Sequence, residues 1–209
     1  GLSCREYASA ARAVPGAIGL SASTVSRQFI AATEQCLREL QERDLSGYDL
    51  VALWLDGKTF AEDTLVVAVG LTSTGEKVML GLVQAGTENE AVLTPFLQGL
   101  IERGLQVKSG LLVILDGGKG LRAAVEKALG QQALVQRCQW HKRENVVNHL
   151  PKGEQRTWRK RLQQAYERPT YKEAKAALMR LHKELEQRNL SAANSLLEGL
   201  EDRKSTRLN

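Results

Sequence analysis

Two aspartates stand where apolar runs give way to polar residues: Asp56 in VALWLDGKTF and Asp116 in GLLVILDGGKGL. Each is followed by glycine and, within three positions, by a lysine, Lys58 or Lys119. Runs this apolar have to be buried, so a carboxylate at the end of one is fixed by the core. Divalent cations need that. They are held by carboxylate oxygens in set positions, with room left for water and a substrate phosphate. A single Asp-Gly is more simply a turn former or a helix cap. Two of them, sixty residues apart and each closing a buried run, predict the beginning of a metal-dependent phosphoryl-transfer site.

A second pairing lies in RCQWHKRENV, where Cys138 and His141 enter a helical stretch. Structural zinc takes four ligands, and His149, Cys4 and Cys36 are poorly spaced to complete a set. A Cys–His nucleophile lacks a residue to orient the histidine. The expectation is a packing cysteine and a hydrogen-bonding histidine near the catalytic end. Lys142 and Arg143, with Lys58 and Lys119, are candidates for phosphate contacts.

The elements that carry these residues read clearly over 49–150. LVALWL (50–55) is continuous and apolar, as for a strand covered on both faces. TLVVAVGLT (64–72) and KVMLGLVQ (77–84) follow through a turn at Gly75, which predicts a three-stranded antiparallel meander. Asn89 to Arg103 reads as a helix with Val92, Leu93, Phe96, Leu97, Leu100 and Ile101 on one face. Leu111–Leu115 and Ala133–Arg137 are two more strands, separated by a helix over Lys119–Leu129 that Gly130 stops. The order is β-β-β-α-β-α-β, then the helical CQWHKRENVVNHL.

Residues 1–48 read as helical. Tyr7, Ala11 and Val14 suggest a short helix, and Val25, Phe29, Ala32, Cys36 and Leu40 form the stripe of a longer one that Ser21 or Ser23 caps. With a glycine turn between them, this is the outline of a helix-turn-helix whose second helix offers Thr24, Ser26, Arg27 and Gln28 to a groove. Residues 151–209 carry no strand signal. Trp158, Leu162 and Ala165, then Ala174, Leu178, Leu181 and Leu185, form narrow helical stripes, and RKSTRLN reads as a frayed or foreign end.

At 209 residues and 43% hydrophobic, the chain suits one medium domain with attachments. No apolar run nears the ~20 residues of a membrane span, and no basic-then-apolar signal segment opens the sequence. Cys4, Cys36 and Cys138 give no disulfide framework, which fits a reducing cytosol. The first residue is Gly1 and the only methionines are Met79 and Met179, so the sequence reads as an excised piece. Of the net charge of +5, residues 151–209 hold +6 and the rest sum to −1. Basic excess confined to one segment points to a polyanion, with Arg159, Lys160 and Arg161 as its densest group.

WLDGKTF, LDGGKGL and RCQWHKRENV, in this strand order, together resemble the bacterial Mutator-type insertion-sequence transposases. The resemblance covers residues 46–150 strongly and 151–200 in style, as a helical insertion ending in SLLEGLE. It implies a ribonuclease H-like fold and a DDE carboxylate triad. Asp56 matches the first catalytic aspartate and Asp116 the second, and Cys138 and His141 match a C/D-x-x-H signature. The family's third carboxylate lies in a Thr-Asn-x-Ile-Glu-like stretch past the insertion, and no such stretch is present. Glu198 and Glu201 precede that place, so neither is assigned. The third carboxylate is expected beyond residue 209, and this fragment is expected to be inactive without it.

The resemblance further implies metal-dependent DNA strand cleavage and transfer with Mg2+ or Mn2+. It implies DNA partners (element ends and target), a homo-oligomer on that DNA, no membrane, and a place in the bacterial cytoplasm at the nucleoid. The implied organisation is a DNA-binding remnant (1–48), a catalytic core (49–150) and a basic helical insertion (151–209). A nuclease or resolvase of the same fold shares the metals but not strand joining, and a non-catalytic DNA-binding regulator needs no metal.

Overall fold

The computed structural model describes residues 21–60, 63–86, 90–107 and 110–201. The chain divides between Asp44 and Leu45 into two compact units. In the first, α1 (Ala22–Glu42) starts at Ser21, whose side-chain oxygen accepts from the Thr24 N–H at 3.2 Å. The apolar residues recur at helical spacing, yet none is buried, and Phe29 is 66% exposed. The helix expected around Tyr7, Ala11 and Val14, and the tail RKSTRLN, lie outside the described residues.

The second unit opens with three strands, β1 (Leu50–Phe60), β2 (Asp63–Thr72) and β3 (Lys77–Ala85), paired antiparallel in sequence order. Then α2 (Glu90–Glu102) crosses to β4 (Leu111–Leu115), and α3 (Lys119–Leu129) crosses to β5 (Ala133–Arg137). Both crossovers add parallel strands beside β1, giving the sheet order β3-β2-β1-β4-β5. This mixed five-stranded sheet is the ribonuclease H-like arrangement that the family resemblance implies. Four helices complete the unit: α4 (Gln139–Asn148), α5 (Lys152–Tyr166), α6 (Tyr171–Glu186) and α7 (Leu190–Glu201). Thr170 and Glu173 start α6 with a reciprocal capping box.

Two apolar clusters hold this unit together. In the first, Leu53, Leu55, Leu111, Val113 and Leu115 of the sheet pack under Leu93, Leu97 and Leu100 of α2 and Leu121 and Val125 of α3. The second joins Val146, Val147 and Leu150 to Trp158, Leu162, Leu178, Leu185 and Leu196. It therefore begins inside α4, ahead of the helices that follow residue 151. The sheet is dry on one face only. Successive side chains alternate across a strand, and β4 alternates buried with half-buried. Leu112 and Ile114 are half-buried and Leu134 is 36% exposed. On LVALWL itself Ala52, Leu53 and Leu55 are buried, Trp54 is half-buried and Val51 is 45% exposed, so the cover expected on both faces is incomplete. Ile101 likewise stands outside the buried side of α2. Among the described residues, no helix is long and apolar enough to cross a membrane.

Candidate active site

The parallel ladder between β1 and β4 runs from Ala52↔Leu112 to Leu55↔Leu115 and stops. The next residue on each chain is an aspartate, Asp56 or Asp116. Asp56 does not end its strand, however. The β1 strand continues to Phe60, paired through this stretch with β2 (Asp56↔Val67 to Phe60↔Asp63). The apolar run ends at Asp56 because β4 ends there: beyond it the ribbon has one neighbour and exposed side chains, as at Lys58 and Thr59. What the sequence marks is the end of burial rather than the end of the strand.

The third member comes from the next connection. The Cys138 N–H donates to the Leu115 carbonyl at 2.6 Å, tying the exit of β5 to the end of β4. The Cys138 carbonyl then accepts from the Lys142 N–H at 3.0 Å, which starts α4. His141, in that first turn, reaches back to the aspartates. Its Nε2 lies 3.4 Å from Asp56 Oδ1 and its Nδ1 3.5 Å from Asp116 Oδ1. One ligand atom from each of the three lies within 4.8 Å of the others. The thiol of Cys138 is half-buried and unoxidised, and Cys138 serves the site through its backbone.

The donor set suits a divalent cation. Asp56 and Asp116 are 52% and 31% exposed, and among the described residues neither has a lysine or arginine partner. His141 Nδ1 is buried without a hydrogen bond among the described residues, a polar atom that a ligand would satisfy. Carboxylate oxygens favour Mg2+ or Mn2+, whereas an imidazole alone favours later transition metals.

Behind the site stands a brace that the sequence reading did not anticipate. Gly117, directly after Asp116, has φ +109° and lies against Arg137, so that a Cβ there would sit 2.8 Å from the guanidinium carbon. Arg137 Nη1 lies 3.3 Å from Glu198 Oε1, and the buried Lys142 donates to Glu198 Oε2 at 2.8 Å. That hydrogen bond, with the charges of Lys142 and Arg137, holds Glu198 below the ordinary carboxylate range despite some burial. Glu198 on α7 thus grips both ends of the turn that carries Cys138 and His141, and it stands outside the Asp56–Asp116–His141 group. Arg137 reaches this place because it pairs in register with Leu115, one residue short of Asp116.

The remaining basic residues separate into exposed and internally paired. Arg27, Lys58, Lys119 and Lys160 are exposed. Lys142 is 3% exposed and sits inside the fold rather than on a phosphate-facing surface. Arg143 donates to Glu144 at 3.3 Å and also to Gln163. Arg159 donates to Glu144 at 2.8 Å. Arg161 pairs with Glu184 at 2.6 Å and lies over the buried Trp158 ring at 4.5 Å. Between α4 and α5, an open groove of 490 Å³ gathers Arg143, Arg156, Arg159 and Lys160.

Comparison with known proteins shows the family. The description "Transposase, Mutator family" matches residues 1–203. The chain is 32% identical over 197 residues to the transposase for insertion sequence element IS256 in transposon Tn4001 of Staphylococcus aureus, covering 88% of this chain and 50% of that protein. It is 32% identical over 160 residues to the transposase for insertion sequence element IS6120 of Mycolicibacterium smegmatis, covering 73% of this chain and 48% of that protein. The chain thus spans about half the length of these relatives. With its aspartates at the end of the parallel ladder and a family match across nearly its whole length, the chain belongs to the Mutator family of transposases.

Proposed function

We propose that this chain carries the metal-binding part of an insertion-sequence transposase that cleaves and joins DNA strands. The observation that carries this reading is the convergence of Asp56, Asp116 and His141 in a chain of this family. Asp56 and Asp116 are the residues that would hold Mg2+ or Mn2+. When bound there, such an ion supplies charge relief to phosphoryl oxygens. The protein's own residues do the positioning. His141 sets the spacing of the two carboxylates, and the exposure of Asp56 leaves the approach open to a phosphodiester. Lys58, Lys119 and the groove between α4 and α5 are surfaces for the DNA backbone, and α1 with Arg27 is a candidate reader of the element ends. A homo-oligomer assembled on that DNA in the bacterial cytoplasm completes the reading.

Two carboxylates do not make the family's triad. Glu198 is committed to Lys142 and Arg137, which supports a third carboxylate elsewhere in the protein. The 209 residues alone are therefore expected to bind metal weakly and leave DNA intact. The test is to incubate labelled element-end DNA with Mg2+ and either this chain or a version extended by its natural downstream segment. Cleavage and joining by the extended protein alone, lost with Asp56→Ala or Asp116→Ala, is the expected result. Joined products distinguish a transposase from a nuclease, and metal-free binding without cleavage would identify a regulator. Nicking by the shorter chain that Glu198→Gln abolishes would make Glu198 the third carboxylate and overturn this assignment.

A further inference from the structure

The residue immediately before the site histidine is a tryptophan, and it is not in the core. Trp140 is 55% exposed, although it lies in the first turn of α4 beside His141. Its ring meets the His141 ring edge to face, with centroids 4.7 Å apart. Exposing so large an apolar surface has a cost in water, and packing gives no reason for it here. The other exposed basic and polar groups nearby indicate what would cover it. Trp140 walls an open recess of 290 Å³ with Gln139, Arg143, Gln163, Tyr166 and Glu167. This recess shares Arg143, Gln163 and Glu167 with the basic groove that continues to Arg156, Arg159 and Lys160.

We propose that Trp140 is a stacking platform for one unpaired nucleobase of a DNA strand whose backbone lies along the adjoining groove. The proposal rests on the reading that this chain handles DNA, and it adds that a nucleotide beside the metal-binding group is held out of the base stack. The indole, Gln139 and the groove cations suit that ligand, whereas the Glu167 carboxylate, which accepts from Gln163, does not. An indole face takes any base through its π surface. The exposed Gln139 amide offers a donor and an acceptor to a base edge, while Gln163 is engaged by Arg143 and donates to Glu167, so Arg156 and Lys160 of the adjoining groove supply the cations for the phosphates. A cationic ligand would meet the repulsion of Arg156 and Lys160, which have no acidic partner among the described residues. Position adds the functional point. Trp140 touches His141, which touches both carboxylates, so a base on the indole belongs to a nucleotide within about two or three base steps of ~3.4 Å from a phosphate held there. A base paired in a duplex cannot reach the indole face without unstacking, so the site takes single-stranded or locally opened DNA.

The experiment titrates the metal-free chain with a short fluorescein-labelled single strand and with the same strand carrying one abasic position moved along it. Trp140→Ala should weaken binding of the intact strand about tenfold, the scale of one lost base–aromatic stack, and Trp140→Phe should stay within about twofold. An abasic lesion at one or two positions should weaken the unaltered chain by a similar factor and leave Trp140→Ala unaffected. The log–log salt slope should be the same in all three proteins, because stacking releases no counterions. Equal binding by Trp140→Ala, or a loss indifferent to the abasic position, overturns the platform while leaving the DNA reading intact. Self-association lost in Trp140→Ala with unchanged strand affinity makes the surface a protein contact and overturns it too. Failure of the unaltered chain to bind single-stranded or duplex DNA at low salt overturns both.

Discussion

Charge is arranged in opposite ways at the sheet end and in the helical part. At the sheet end, Asp56 and Asp116 share a histidine and, among the described residues, no lysine or arginine. In the helical part, cations and acids are interleaved: Arg159 with Glu144 at 2.8 Å, Arg161 with Glu184 at 2.6 Å, Lys142 with Glu198 at 2.8 Å. Converging carboxylates without a cation repel one another, and a fold that keeps them together keeps them for something positive that arrives later. Clustered basic residues carry no such message until their partners are known. The +6 of the last segment counts side chains and overstates the positive charge that a polyanion meets.

The sharpest way to break the contrast is at the carboxylates. In a cleavage-competent extended protein, Asp56→Ala or Asp116→Ala should lower DNA cleavage by about 10²–10³-fold or more, the scale for losing one preorganised charge-stabilising group. Mn2+ binding followed by calorimetry should fall with it. The thermal midpoint of the metal-free chain should not drop, since both side chains are partly exposed and neither pairs with a lysine or arginine. A large drop would mean that the pair is structural.

Next come the two cores. Trp158→Ala, at 2% exposure, should cost about 3–5 kcal/mol in urea unfolding, and Leu53→Ala under the sheet about 2–5 kcal/mol. The Trp158 variant should also weaken metal binding, because α4 carries His141 to the site and Val146 and Val147 to the same cluster as Trp158. Unchanged metal affinity would mean that the two regions are energetically separate. Gly117→Ala should cost roughly 1–2 kcal/mol for its left-handed backbone alone, and more where Arg137 must move.

Smaller effects test the basic segment. Lys160→Ala and Arg156→Ala, which line the groove and have no acidic partner among the described residues, should each flatten the duplex-DNA salt slope by ~0.9. Arg161→Ala, already paired with Glu184, should change it less. Equal changes would mean that the internal pairs open on DNA. The smallest effect is in acid. Glu198 is held below its ordinary value of 4.5 in the folded chain, so the folded state takes up its proton later than the unfolded one. The stability this contributes is present above that value and is lost as pH falls through the lowered one. Glu198→Gln should flatten that part of the acid-unfolding profile, only slightly because the side chain is largely exposed.

The sheet was legible because burial writes itself into composition. LVALWL, TLVVAVGLT and Leu111–Leu115 could not have been loops, and their order leaves few topologies open. Asp56 and Asp116 were legible for the same reason, as the first polar residues after burial. Lys142 was not. A lysine one position past a histidine looks like a surface residue, and its partner Glu198 lies 56 residues away with no periodic signal to join them. Trp158 was legible as part of the stripe with Leu162 and Ala165, and it is buried, but no comparable stripe told that Trp140 faces out. Charge pairing and the choice of face are tertiary facts, and periodicity only proposes them.

The grip of Glu198 on Arg137 and Lys142 has a consequence for the order of events. One carboxylate on the last helix fixes both flanks of the turn that bears His141, so displacement of that helix is felt as a change in ligand spacing at the aspartates. By linkage, if DNA on the helical surface alters metal affinity by some factor, metal must alter DNA affinity by the same factor. Loading of the ion and engagement of the strand then behave as one reciprocal event, and in Glu198→Gln the two titrations should become independent.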